Sequence, residues 1–416
     1  MPSDHPKIRP LEPLQLEHEG QTLFRLSDPL RIAHDAPVVS VAAFLLITMM
    51  DGQHAIADMQ AEFAKRTRMA LDAQSIETLI RQLDDMHLLE GEGFEAHVAS
   101  LLSSPVREAA LAGGAYAADA EGLRAQIDSY FVAEGGPGPL PSPAADVPLR
   151  GVMSPHIDFN RGNVAYAHTW HAASKWPLAD LYVILGTSHC GLRQPFGVSR
   201  RSYATPLGQL PTDAGFLASL ERHGCGWAFQ DEVAHVGEHS IEFQAVMLKY
   251  VCGGHAVSAV PILVGGFASC VREGRSPGDE TKFQQFAGAF LEAVKESGKR
   301  VCLVAGVDLA HVGPEFQDPH PVTPEMAAEV EKEDRAMLCS VESIDAEGFF
   351  ASIQKDGDRR HVCGFGPIYT TLKLLSMDGP VKGTLVRYGQ APAPNDSIVS
   401  FAGATFESVA SPTSAL

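Results

Sequence analysis

The chain has 416 residues, 45% of them hydrophobic and 20% charged, a composition ordinary for a folded protein with room for two or three domains. Its formal charge of -19 argues against a nucleic-acid partner, because displacing counterions from phosphates needs clustered Lys and Arg, and no such run occurs. The most apolar window, Val38 to Met50, is shorter than the ~20 residues a membrane helix needs, Met1 to Pro10 lacks the apolar stretch of a secretory signal, and neither a membrane association nor export is expected.

In chain order, residues 1–22 are proline-rich and polar and read as an extended lead-in. From 23 to 100 the pattern is helical: Leu26-Ser27-Asp28-Pro29 marks a turn, Pro37 to Met50 a helix, and Asp51-Gly52-Gln53 a sharp break. Ala55 to Lys65 and Ala73 to Met86 then place apolar residues at helical spacing (Ile56, Met59, Phe63; Ile76, Leu79, Ile80, Leu83), and the second run ends in His87-Leu88-Leu89. The Asp51-Gly52 after a first helix and the two helices closed by Leu-Leu resemble the small winged-helix-like domains of the PqqD type, which implies recognition of a precursor peptide. A helical packing or dimerisation module is the other reading.

A boundary near residue 100 opens an α/β region over 101–410. Asp119 to Val132 is an amphipathic helix with Leu123, Ile127, Tyr130 and Phe131 inward, and the Gly-Gly-Pro-Gly-Pro-Leu-Pro-Ser-Pro stretch from Gly135 is a loop. Strands are expected at Gly151–Ser154, Leu181–Gly186, Val257–Val264, Val301–Gly306, Thr384–Tyr388 and Ser397–Thr405. Helices fill the gaps, at Val164–Lys175, Asp213–Arg222, Ser240–Val251, Thr281–Ser297, Pro324–Ser340, Ala346–Ile353 and Gly366–Leu375. Such alternation predicts a mostly parallel sheet covered by helices on both faces.

The strand ends carry the chemistry. Leu181 to Gly186 stops at Gly-Thr-Ser and presents His189, Val152-Met153-Ser154-Pro155 leads to His156, Val301 to Gly306 leads to Asp308 and His311, and Val362-Cys363-Gly364 offers a thiol. Ligands collect in the crevice beyond the strand C-termini of open α/β sheets, so these groups are expected to converge. Glu238 and His239, just before a helix, add a carboxylate and an imidazole. Two histidines and an anion with open positions beside them let iron(II) take substrate and dioxygen together; the anion is Cys363 or Asp308. A single loop histidine is more often a hydrogen-bonded structural group, and a lone cysteine a small buried hydrophobe. Recurrence at strand ends is what favours a metal. Seven cysteines, an odd number without a Cys-x-x-Cys pair, suit a reducing cytoplasm better than a disulfide framework.

Pro155-His156, Gly186-Thr187-Ser188-His189, Thr205-Pro206-Leu207-Gly208 with Asp213, Glu238-His239-Ser240-Ile241-Glu242, Asp308-Leu309-Ala310-His311 and Cys363-Gly364 occur in an order and spacing that resemble the Memo family. Arg107 to Tyr116 with the following helix resembles that family's start. In bacteria the family is protein B of the AmmeMemoRadiSam grouping, found beside a radical-SAM enzyme and an AMMECR-type protein, and its fold is similar to that of class III extradiol dioxygenases. By position the resemblance implies His156, His189 and Cys363 as ligands of iron(II) or copper, His311 as an acid/base histidine, and Asp308 and His239 in the same pocket. It implies a dioxygenase-like, metal-dependent redox protein acting on a peptide, protein or small aromatic substrate, with radical-SAM and AMMECR-type partners. A non-catalytic metal- or peptide-binding adaptor is the alternative, followed by a metal-dependent hydrolase using Asp158 or Glu238 as base. Asp158 stands where the family has a small residue and Val312 where it has an aromatic, which leaves room for a different substrate.

Overall fold

The computed structural model describes residues 4–33 and 36–409. The backbone divides into two units, Met1–Ser104 and Pro105–Leu416.

In the first unit, β1 (Glu12–His18), β2 (Gln21–Ser27) and β3 (Val38–Ser40) form an antiparallel sheet, followed by helices α1 (Val41–Ile47), α2 (Ile56–Thr67), α3 (Ala73–Asp85) and α4 (Glu92–Ser103). Glu19 and Gly20 both have positive φ, 49° and 75°, the conformation that a two-residue hairpin turn needs. The polar stretch expected as a lead-in is therefore, from Glu12, one arm of a hairpin. The helix expected from Pro37 starts only at Val41. Ser40 caps it by accepting from the Ala43 amide at 3.2 Å, and the β-branched Val38 and Val39 before the cap pair with Arg25 and Phe24 instead. Met59 and Phe63 from α2 pack with Ile76, Ile80 and Leu83 from α3, the faces that the helical spacing selects.

The second unit begins with β4 (Val106–Arg107), α5 (Ala120–Val132), β5 (Gly151–Ser154), α6 (Phe159–Ala173), β6 (Leu181–Thr187), β7 (Phe196–Val198) and β8 (Ser202–Tyr203). Next come α7 (Ala214–Leu220), α8 (Ser240–Cys252), β9 (Ser258–Val264), α9 (Ala268–Glu273), α10 (Thr281–Ser297), β10 (Val301–Gly306) and β11 (His311–Val312). The chain ends with α11 (Pro324–Glu342), α12 (Ala346–Gln354), α13 (Phe365–Met377) and the long hairpin of β12 (Val381–Ala393) and β13 (Ser397–Ser408).

The main sheet runs β11-β13-β5-β10-β6-β9-β7, with β12 paired to β13. It is mixed rather than mostly parallel. β5, β10, β6 and β9 are parallel and buried, but β7, β11, β12 and β13 all pair antiparallel. Asn395 and Asp396, at φ of 57° and 52°, make the tight reversal between β12 and β13, and a reversal that short can join only antiparallel strands.

Along β6 and β10 alternate side chains enter alternate layers, as the two-residue pleat requires. Val183, Leu185, Leu303 and Ala305 pack with aromatic residues of α10, α12 and α13, while Tyr182, Ile184, Cys302 and Val304 pack with α5, α6 and α8. The sheet is therefore covered by helices on both faces. Among the described residues no helix is long and apolar enough to cross a membrane.

Candidate metal centre

Gly306 at the end of β10 lies opposite Ser154 of β5 and Gly186 of β6, so three parallel strands end level. The residues just beyond them are Pro155-His156, Thr187-Ser188-His189 and Val307-Asp308. A Cβ at Gly186 would stand 2.5 Å from Ser240 Oγ, and one at Gly306 would stand 2.4 Å from the Ser240 carbonyl oxygen. Two bare glycines thus let the first turn of α8 rest on the strand ends, where Ser240 Oγ donates to the Thr187 carbonyl at 2.8 Å. This contact delivers Glu238 and His239 to the same edge.

There the rings of His156, His189 and His239 meet. Their centroids are 5.0 Å (156–189), 5.2 Å (156–239) and 4.5 Å (189–239) apart, and one nitrogen from each lies within 4.8 Å of the others. Cys363 Sγ is 3.3 Å from His156 Nε2, and Asp308 Oδ2 is 3.7 Å from the same nitrogen. His156 Nδ1 is 2.9 Å from the Gly306 carbonyl; an oxygen there can only accept, so Nδ1 carries the proton and Nε2 presents a lone pair. Glu238 accepts from the His189 amide at 2.9 Å, from His189 Nδ1 at 3.0 Å and from the amides of His239 and Ser240 at 2.8 and 3.0 Å. A carboxylate or carbonyl on the far nitrogen of an imidazole is the support that metal-binding histidines use. These residues fit a metal ion.

The electrostatics agree with neutral donors. Burial, with His189 and His239 alongside, holds the His156 imidazole well below its ordinary value. Burial and then the Asp308 charge push the Cys363 thiol well up, so it stays protonated until a cation takes the proton's place. Burial also opposes charge on Glu238, but His189 and His239 outweigh it and hold that carboxylate well below its usual range. The Asp308 carboxyl is pushed up to about 7 by burial, against the opposing pull of the His156 and Ile157 amides.

His311 is lowered to about 4 by burial and is a neutral imidazole at neutral pH, able to accept a proton. Its Nδ1 is 3.1 Å from the Leu309 carbonyl and the Phe316 ring stands edge-on at 4.8 Å. Asp158, by contrast, accepts from the Asn160 and Arg161 amides and the Arg161 guanidinium, as the cap of α6.

Of the residues singled out from sequence, the fold gathers His156, His189, His239, Cys363 and Asp308 into direct contact and places His311 further along the segment that carries Asp308, its amide bonded to the Arg360 carbonyl at 2.7 Å. Arg107 is a support that the residue types alone do not reveal. It is 1% exposed, donates to the Glu238 carbonyl at 2.8 Å and the His235 carbonyl at 2.9 Å, and pairs with buried Glu242. The available signal was its place opening the Arg107 to Tyr116 segment that resembles the family's start.

A family model described as Memo-like protein matches residues 107–405. A MEMO1 family protein of Aquifex aeolicus is 29% identical over 389 residues, covering 92% of this chain and 96% of the relative. One of Methanopyrus kandleri is 28% identical over 306 residues, covering 72% of this chain and 98% of the relative. One of Methanococcoides burtonii is 30% identical over 247 residues, with 58% and 78% covered.

Proposed function

The chain belongs to the Memo family, and from that membership and the histidine pocket we propose that it is a non-haem metal-dependent redox protein, with His156, His189 and Cys363 holding iron(II) or copper. The observation that carries the proposal is the cluster itself: Cys363 Sγ at 3.3 Å from His156 Nε2, beside imidazoles whose far nitrogens are tied to Gly306 and Glu238. A thiolate among imidazoles suits iron(II) and also copper(I), for which a soft ligand raises affinity. When bound, such an ion would supply redox chemistry to a substrate held beside these residues.

The remaining work falls to the chain. His311, neutral and half-buried, takes a proton from a substrate group and returns it. Asp308 accepts from the His156 amide at 3.0 Å and fixes the loop that carries that ligand. His239 lines the pocket wall against His189. A dioxygenase-like reaction on a peptide, protein or small aromatic substrate is the form of redox chemistry we favour, since an acid/base residue beside an open site has no use in a metal carrier.

Unit 1 would deliver a peptide substrate or dock a radical-SAM partner, in the manner of a PqqD-like module. The Aquifex aeolicus match takes in 92% of this chain and the Methanopyrus kandleri match 72%, each nearly the whole of that relative. Anaerobic metal analysis tests the central proposal: native protein should carry stoichiometric iron or copper and a His189→Ala, Cys363→Ala double variant none. Native protein that takes up no metal even on reconstitution would leave a peptide-binding adaptor as the better account.

A further inference from the structure

We infer that the buried Asp334–Arg360 ion pair is a positioning device that fixes the Cys363 arm of the pocket against the Asp308–His311 arm; the roles of Cys363 and His311 in that statement rest on the metal reading above. The first arm is the segment before α13 and the second is the segment after β10. Their backbones are laced together: the His311 amide donates to the Arg360 carbonyl at 2.7 Å, the Cys363 amide to the Leu309 carbonyl at 3.3 Å, and the Gly364 amide to the Asp308 carbonyl at 3.1 Å. A Cβ at Gly364 would stand 2.4 Å from that Asp308 oxygen, so the approach is close enough to require glycine.

The opposite side of the second arm is tied to β13. The Ala310 amide donates to Ser400 Oγ at 2.9 Å, and the Ser400 amide donates to the Ala310 carbonyl at 2.9 Å. Asp334, on α11, closes the circuit. It accepts from Ser400 Oγ at 2.6 Å, from Tyr388 Oη at 3.0 Å and from Arg360 Nη1 at 2.6 Å. The path from Ala310 through Ser400, Asp334 and Arg360 back to His311 is unbroken.

Asp334 is 0% and Arg360 2% exposed. Taking both charges out of water is costly, and an apolar pair of the same volume would commonly hold the fold as well. Stability alone therefore gives no reason to keep them. Two features point to geometry instead. The pair reaches both arms from outside the histidine cluster, Arg360 lying on the first and Asp334 bonded to the second through Ser400, and Arg360 Nε also faces Glu333 and Asp356 at 3.6 and 3.7 Å, so the guanidinium is held from several sides. A ring of this kind fixes the distance between the thiol and the acid/base imidazole whether or not a ligand is present.

The test uses the full chain with Arg360→Met and Arg360→Lys, and Val341→Ala as a control on α11 that is equally buried but outside the ring. Amide hydrogen exchange should rise by about tenfold or more in segments 308–311 and 360–364 together in Arg360→Met, less in Arg360→Lys, and not in Val341→Ala. Should Arg360→Met fail to fold, Asp334→Asn, which keeps the shape and removes the charge, carries the same measurement. Protection unchanged in a folded variant, or lost only in 360–364, overturns the inference. Added cobalt(II) gives an independent readout: Arg360→Met should lose the sulfur-to-cobalt absorption of the native protein. Absence of that absorption in native protein counts against Cys363 as a ligand, while the exchange data still decide the coupling of the arms.

Discussion

The carboxylate of Glu238 accepts from both N–H groups of His189, the backbone amide at 2.9 Å and the ring Nδ1 at 3.0 Å. One acid thus sets the position and the tautomer of that histidine, and through the His239 amide it holds the neighbouring ring as well. Glu238→Gln keeps the shape but loses one acceptor, and it is expected to weaken metal binding about 10–100-fold. Anaerobic competition titration measures this; native affinity in the variant would mean that His189 is held by something else.

Behind Glu238, the Arg107–Glu242 pair is almost fully enclosed, with side-chain exposures of 1% and 0%. Arg107→Met leaves Glu242 buried without its opposite charge, held only by Tyr116 Oη and the Ala110 and Leu111 amides, and takes a donor from the Glu238 and His235 carbonyls. A loss of ~3–5 kcal/mol is expected, read from urea denaturation. A loss below about 1 kcal/mol would show that Tyr116 Oη and the two amides hold Glu242 without the cation.

Gly306→Ala should cost ~1–3 kcal/mol by overpacking, because its Cβ would meet the Ser240 carbonyl at 2.4 Å. The same push displaces the first turn of α8, so metal affinity should fall with stability. Gly288→Ala is the matched control: it lies within α10 with open space around it and should gain ~0.5–1 kcal/mol through helix propensity. Equal effects at both positions would contradict the seating of α8 on the strand ends.

His235 gives the fold an acid-sensitive element. Its Nε2 is 2.9 Å from the Gly197 carbonyl and its Nδ1 accepts from Tyr203 Oη at 2.8 Å, so the neutral ring is fully satisfied, and burial lowers it below the ordinary 6.5. The unfolded chain takes the proton near pH 6.5 while the folded chain does not. The unfolded state therefore binds more protons below that pH, and stability falls as pH falls, by up to ~1.4 kcal/mol per pH unit from this group. His235→Gln, which retains a donor and an acceptor, should flatten the decline; an unchanged slope between pH 6.5 and the folded value would reassign it.

Much of the site was legible because its strands are written plainly. β5 and β10 run over the residues expected and β6 is longer by one, since each is a short apolar run stopped by a glycine or serine, and α10 spans Thr281–Ser297 as its apolar spacing predicts. β7 and β11 are too short, at three and two residues, to show a period. The antiparallel direction of β13 depends on the turn at Asn395 and Asp396, a signal present in the sequence but overridden by the alternation of helices and strands. Arg360, Asp334 and Ser400 were invisible for another reason. Charged and polar residues are usually exposed, and nothing local marks the three that meet across 26 and 66 positions.

The most direct measurement is X-ray absorption at the metal edge of the anaerobically loaded protein. The account predicts a first shell that contains imidazole nitrogen and one sulfur, with the sulfur component lost in Cys363→Ser and retained in His239→Ala. A shell of nitrogen alone, reduced by His239→Ala and indifferent to Cys363→Ser, would contradict it and make the three-histidine cluster the centre.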